Sequence, residues 1–72
     1  MKYLVNNYNM TYTKFDENDF EFYHYDENDN ENVIDNLNDL NIIISEYNKS
    51  EYDDFKILDN IDFNIYKYEG NF

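Results

Sequence analysis

The chain has no cysteine, a single histidine, His24, and a single glycine, Gly70. Without cysteine, neither a disulfide nor a thiolate metal site can stabilise the fold. One glycine is too few for a glycine-rich loop that cradles phosphates. One histidine and no cysteine also leave out the common nucleophile–base pairs of covalent catalysis. These absences argue against an enzyme.

Long apolar runs are also missing. No run approaches the roughly 20 residues that a membrane span needs. The apolar start, Met1–Val5, is too short for a signal peptide and is followed by polar Asn6 and Asn7. We therefore expect a soluble protein of the cytoplasm.

A chain of 72 residues predicts one small domain, residues 1–72, near the size at which a single core is only just sufficient. Its core must come from nine tyrosines, six phenylalanines and seven isoleucines. Self-association as a homodimer is a further route to stability for so small a domain.

Negative charge dominates the composition, with 17 carboxylates against five lysines and a net charge of −12. The codon usage of an A/T-rich genome explains the fourteen asparagines, but it should favour lysine equally. The shortage of lysine therefore indicates that the acidity is selected. The alternative is that acidity only keeps an aromatic-rich protein soluble.

The acidic residues concentrate in one stretch, residues 15–32, which reads FDENDFEFYHYDENDNEN. The tetrapeptide DEND occurs there twice, at 16–19 and at 26–29, and aromatic residues lie between the two copies. A dense acid block by itself is typical of a solvated tail. An acid block around strand-forming aromatic residues predicts a folded element that displays negative charge.

Alternating residues predict strands in the first third of the chain. Met1–Val5 is a short strand or a docked terminus, and Tyr8–Phe15 is a strand. Phe20–Tyr25 continues the alternation, with Phe20, Phe22 and His24 opposite Glu21, Tyr23 and Tyr25. We predict a hairpin of these last two strands, with Asp16–Asp19 as its four-residue loop.

A polar connector, Asp26–Asn32, is expected to lead into a helix that Asn28 caps, with Glu31 as the partner carboxylate. Apolar residues then recur at helical spacing: Val33, Ile34, Leu37, Leu40, Ile44 and Tyr47. Ile42 would point outward among acids, and Ile42–Ile44 is β-branched. The alternative is a helix that ends near Asn41, with Ile42–Tyr47 as a strand. The long helix is slightly preferred.

The last third allows two interpretations. Ser50 could cap a short helix over Glu51–Leu58, or Asp53–Leu58 could be a strand that turns at Asp59 and Asn60. Ile61–Tyr68 alternates and predicts a half-buried strand. Gly70 is expected to mark a frayed end. Together the elements predict an α+β fold in which a small antiparallel sheet packs with one or two helices.

Metal and cofactor sites are not expected. Alternate residues from Asp26 to Asn32 imitate the first ligand positions of an EF-hand loop. However, Glu31 stands where that loop needs glycine, and Leu37 stands where it needs a bidentate glutamate. His24 is expected to have a structural or surface role rather than a catalytic one.

The spacing of the acidic residues imitates that of phosphates. Carboxylates recur about every 6.6 Å on one face of a strand and lie about 5–6 Å apart at i and i+4 of a helix. Glu31, Asp35 and Asp39 are predicted to form such a helical row. Rows of this kind project a field that attracts the basic grooves of nucleic-acid-binding proteins.

In size, charge, DEND blocks and acid-with-aromatic texture, the chain resembles the small, acidic, phage-encoded DNA-mimic inhibitors, a class that includes anti-CRISPR and anti-restriction proteins. Anti-CRISPR proteins are the most similar for so short a chain. The resemblance implies an immune-evasion protein in the cytoplasm of an infected bacterium. Such a protein binds the basic cleft of a CRISPR effector complex rather than nucleic acid itself.

The candidate partner-binding residues are the acids of residues 15–32, two further acids beyond them, and two aromatic anchors, for which core or cross-strand packing is the competing interpretation. They are Asp16, Glu17, Asp19, Glu21, Asp26, Glu27, Asp29, Glu31, Asp35, Asp39, Tyr23 and Tyr25. Two other classes stay open. One is an interaction module, such as an antitoxin or an accessory subunit of a basic protein. The other is a disordered acidic segment, which the fifteen aromatic residues argue against.

Overall fold

The structure is a computed structural model that describes residues 1–49 and 54–70. These residues form the predicted α+β fold, with a four-stranded sheet in the order β5-β1-β2-β6 and a separate β3–β4 hairpin. All strand pairs are antiparallel except β2 with β6. The elements are β1 (Lys2–Asn6), β2 (Thr11–Phe15), β3 (Phe22–Tyr25), β4 (Glu31–Ile34), α1 (Leu37–Tyr47), β5 (Phe55–Leu58) and β6 (Tyr68–Glu69).

The hydrophobic core lies where the four-stranded sheet, the β3–β4 hairpin and α1 meet. Burial of each large apolar side chain contributes about 1.5–3 kcal/mol, and the core also contains the packed rings of Phe15, Phe20 and Phe22. On the opposite face of the sheet, the Phe63 ring packs edge-on against Tyr3 and Tyr12. The buried core residues are Leu4, Phe15, Phe20, Ile34, Leu40 and Ile44.

The predicted hairpin of Tyr8–Phe15 with Phe20–Tyr25 is wrong. β2 pairs with β1 across a turn at residues 7–10, and β3 pairs with β4. The reason is the burial of the two residues that flank the first DEND block. Phe15 and Phe20 are both buried, with ring centroids 4.9 Å apart. The intervening turn lies at the surface, and the buried rings on both sides of it fix the path of the chain from the four-stranded sheet to the hairpin.

The helix begins later than predicted, because Asn36 rather than Asn28 is its N-cap. The Asn36 side chain accepts a hydrogen bond from the Asp39 amide at 2.9 Å. The two residues expected to open the helix, Val33 and Ile34, instead lie in β4, where Ile34 is buried. The helix does continue through Tyr47, so the preferred long helix is confirmed at this end.

β5 follows the strand alternative over residues 55–58, while Ser50 and residues 51–53 lie outside the described residues. The Asn48 side chain joins this strand to the end of α1. Its Oδ1 accepts from the Phe55 amide at 2.7 Å, and its Nδ2 donates to the Phe55 carbonyl at 3.0 Å. The end of the helix is thereby tied to an edge strand of the sheet.

The predicted strand over Ile61–Tyr68 is also wrong. Asp62 begins a turn, because its carboxylate accepts from the Asn64 amide and its carbonyl accepts from the Ile65 amide. Only Tyr68–Glu69 pairs with the sheet. Gly70 was expected to mark a frayed tail; residues 71 and 72 lie outside the described residues, but Gly70 itself is held in place. Its amide donates to the Tyr12 carbonyl at 2.8 Å, and its carbonyl accepts from the Thr13 hydroxyl at 2.6 Å.

Candidate partner-binding surface

The outer face of the β3–β4 hairpin displays two aromatic rings beside carboxylates. Tyr23 and Tyr25 are 52% and 60% exposed, and Glu21 and Glu31 are exposed beside them. The predicted alternation of Phe20–Tyr25 is confirmed, since Phe20 is buried and Phe22 and His24 are partly buried. Core packing of the two tyrosines is therefore wrong, whereas cross-strand pairing is observed, with Tyr23 opposite Val33 and Tyr25 opposite Glu31. Their role as partner anchors stays a prediction.

Each tyrosine hydroxyl on this face is bonded to a carboxylate. Tyr23 donates to Glu21 at 3.2 Å along its own strand, and Tyr25 donates to Glu31 at 3.0 Å across the hairpin. These hydrogen bonds, with the repulsion between a phenolate and a carboxylate, raise the pKa of both tyrosines. The hydroxyls therefore contact the acids, while more than half of each tyrosine stays exposed.

The second DEND block, residues 26–29, is the loop of the hairpin rather than a connector to a helix. Asp26 organises it, because its carboxylate accepts from the amides of Asn28 and Asn30, each at 2.9 Å. The backbone hydrogen bond from Asn30 is the main cause that lowers the pKa of Asp26. Glu27 and Asp29 are exposed. The Asp26 carboxylate thus stabilises the loop, whereas the carboxylates of Glu27 and Asp29 are exposed.

The first DEND block, residues 16–19, forms a turn closed by the Asp19 amide, which donates to the Asp16 carbonyl at 3.1 Å. Glu17 lies 3.7 Å from the Lys2 ammonium, which also bonds the Asp59 carboxylate. The Lys2–Asp59 bond raises the pKa of Lys2 and lowers that of Asp59. Asp16 and Asp19 are exposed. Six residues, 20–25, of which the last four form β3, separate this turn from the hairpin loop.

The predicted helical row of Glu31, Asp35 and Asp39 does not exist. Glu31 lies on β4, Asp35 lies between the elements, and Asp39 lies in the first turn of α1. The Asn36 amide group donates to the carboxylates of both Asp35 and Asp39, at 3.2 and 2.9 Å. The positive end of the helix dipole favours acids at this position. These two acids therefore have a local structural role.

Charge is divided unevenly between the two parts of the fold. Residues 15–48 contain eleven of the seventeen carboxylates and neither lysine nor arginine. This segment builds the hairpin and α1. Three lysines lie on strands of the four-stranded sheet, one precedes β6 and one follows α1: Lys2, Lys14, Lys56, Lys67 and Lys49. The molecule is electrically lopsided, with its hairpin and helix as the acidic end.

An acidic groove between the hairpin and α1 was not predicted from the sequence. It has a volume of about 380 Å³, and its lining includes His24, Ile42, Ile43 and Glu46. The signal was present in the sequence as the outward-pointing Ile42, three residues after Asp39 and four before Glu46. That spacing places all three on one side of a helix.

Within residues 1–49 and 54–70, no group of three or more carboxylate or histidine side chains could hold a metal ion. In the same residues, no helix has the length and hydropathy that crossing a membrane requires. No family model, curated protein or solved structure matches the chain.

Proposed function

We propose that this protein is an inhibitor that imitates nucleic acid. Its acidic end binds the basic DNA- or RNA-binding cleft of a CRISPR effector complex, in the cytoplasm of an infected bacterium, and blocks the binding of the nucleic-acid target. Binding alone accounts for this activity, and no catalysis is proposed. The observation that carries the proposal is the lopsided charge: eleven carboxylates without a lysine or arginine in the segment that forms the hairpin and α1.

The physical basis is electrostatic steering. An acidic surface approaches a basic cleft faster than a neutral one, and complementary fields fix the orientation of the encounter. The hairpin presents Glu27 and Asp29 at its tip and Glu21 and Glu31 along its outer face. The rings of Tyr23 and Tyr25 add contact area of the kind that dominates many interfaces. The acids are accordingly expected to speed association, and the tyrosine rings to slow dissociation.

A second candidate is an acidic interaction module, such as an antitoxin or an accessory subunit of a basic partner. The exposed apolar side chains of Val33 and Ile42 favour this alternative. A pure phosphate mimic has no use for them, whereas an ordinary protein interface does. A third candidate function, again as a nucleic-acid mimic, is that of an anti-restriction protein.

A capture and competition experiment separates these functions. The immobilised protein is used to isolate its partner from a bacterial lysate, and the complex is then challenged with duplex DNA. A mimic and nucleic acid exclude each other, and affinity for the partner falls steeply as salt rises. A ternary complex in which the partner keeps its full affinity for nucleic acid would contradict mimicry and leave the interaction module.

Matched charge reversals test the surface. Each replacement of a carboxylate by lysine changes the charge by two, so both Glu27→Lys/Glu31→Lys and Asp54→Lys/Glu69→Lys reduce the net charge from −12 to −8. All four side chains are exposed. The hairpin variant should lose inhibition, mostly through slower association, while the other variant retains most of it. Equal loss in both would mean that net charge, not this surface, is responsible.

A further inference from the structure

The groove between the hairpin and α1 combines an apolar floor with an acidic rim. Ile42 and Ile43 provide the floor, and Asp39 and Glu46 border it on the same helix. At 100° per residue these four form one stripe of α1, beside the stripe of Leu40 and Ile44 that enters the core. Ile42 is 52% exposed, so the floor is open rather than covered.

The groove extends toward the hairpin loop. A second depression of about 400 Å³ shares His24, Asp26 and Glu46 with the first and reaches Glu27. Because they share these lining residues, the two parts adjoin and are treated as one trough, and each lies within the range of about 300–1,000 Å³ found for ligand-binding clefts. Among the residues that the structure describes, neither a lysine nor an arginine lines either part.

The trough's chemistry selects its occupant. Its carboxylates repel phosphate groups and attract a cation, while the isoleucines favour an aliphatic chain. An arginine or lysine meets both demands, because its stem lies on apolar surface while its charged head reaches the acids. Two adjoining depressions suit an extended peptide better than a compact ligand. Because Ile42 and Ile43 together form the floor, an apolar residue next to the arginine or lysine could also pack there.

We infer that this trough binds an extended peptide segment of the basic partner, in which an arginine or lysine is flanked by apolar residues. The inference rests on the proposed function only in that the same partner would supply the segment. It assigns to Ile42 and Glu46 a recognition role that the outer face of the hairpin does not share. The partner would thereby be held by a specific contact in addition to the acidic field.

The test needs the protein alone and a synthetic probe, an acetylated and amidated Leu-Arg-Leu tripeptide. In an NMR titration, shifted amide signals should cluster at residues 39–46 and at His24. The Ile42→Gln variant should bind the probe about tenfold more weakly, as expected for the loss of one apolar contact. The matched variant Asn41→Gln, exposed on the opposite side of α1, should bind it unchanged.

Several results would overturn the inference. Equal binding of Leu-Gln-Leu would mean that the groove takes an apolar chain without regard to charge. Shifts that follow every exposed acid and survive Ile42→Gln would mean a diffuse ionic cloud. Shifts that depend on protein concentration without the probe would identify a second copy as the occupant. Circular dichroism confirms that both variants fold. None of these results depends on competition with DNA, so the two proposals can fail separately.

Discussion

The Nδ1 atom of His24 and the hydroxyl oxygen of Tyr47 lie 2.6 Å apart and share a hydrogen bond. The bond joins β3 to the last turn of α1, and the two rings meet edge-on at 5.5 Å. Tyr47 also packs against Phe55 of β5. Tyr47 therefore connects the hairpin, the helix and the four-stranded sheet. Because the acidic groove lies between the hairpin and α1, its shape depends on the relative position of these two elements.

Removing this hydroxyl should loosen the hairpin from the helix. Tyr47→Phe keeps the ring and its packing but loses the hydrogen bond, so we expect the free energy of unfolding to fall by about 1 kcal/mol. Denaturant titration measures the change. Tyr25→Phe is the control, because it loses an exposed bond to Glu31 and should cost only a few tenths of a kcal/mol. Similar losses in both variants would show that the His24 contact has no special role.

The hairpin loop should respond to acid through Asp26. Its pKa is lowered in the folded state by amide hydrogen bonds, so its contribution to stability is present above the unfolded value of about 3.9. That contribution disappears as the pH falls through the lower folded value. The stability difference between the natural protein and Asp26→Ala should thus be largest near neutral pH and shrink below about pH 4. Glu27→Ala, at an exposed position of the same loop, is the control variant measured over the same pH range.

Salt should stabilise the fold. Apart from the pairing of Lys2 with Glu17 and Asp59, the described residues contain no other ion pair, and the net charge is −12. Raising ionic strength from about 0.01 to 0.15 M shortens the Debye length from about 30 to 8 Å and screens this repulsion. The melting temperature should rise by several degrees, since 1 kcal/mol corresponds to about 4–8 °C in a domain of this size. A melting temperature that falls with salt would mean that attractive pairs dominate.

Gly70 should not tolerate a side chain. A Cβ atom at this position would lie 2.6 Å from the Thr11 hydroxyl oxygen and 2.8 Å from the Thr11 Cβ. Because neither atom is the end of a flexible chain, Gly70→Ala should push β6 away from β2 and cost about 1–3 kcal/mol. Hydrogen exchange of the Gly70 amide, which donates to Tyr12, should become faster. Glu69→Ala, whose side chain is exposed, should leave this amide protected.

Periodicity within short segments was enough to predict the fold class, the inward and outward faces of Phe20–Tyr25 and the helix through Tyr47. These features depend on residues that are close together along the chain, so they can be read from the sequence directly. The exposure of Glu27 and Asp29 also followed from composition. The same reasoning marked Ile42 as out of place but did not place it in a groove.

The tertiary structure decided which strands pair, where the helix begins and where the acidic groove lies. Two DEND blocks were equally suitable as turns, and both Asn28 and Asn36 could cap a helix, so local preference could not choose between them. The burial of apolar side chains decided between these alternatives. Ile34 is buried on β4, and Phe15 packs against Phe20 across the first block. These contacts require residues to meet in the core from separate elements, so they are settled only when the whole chain packs.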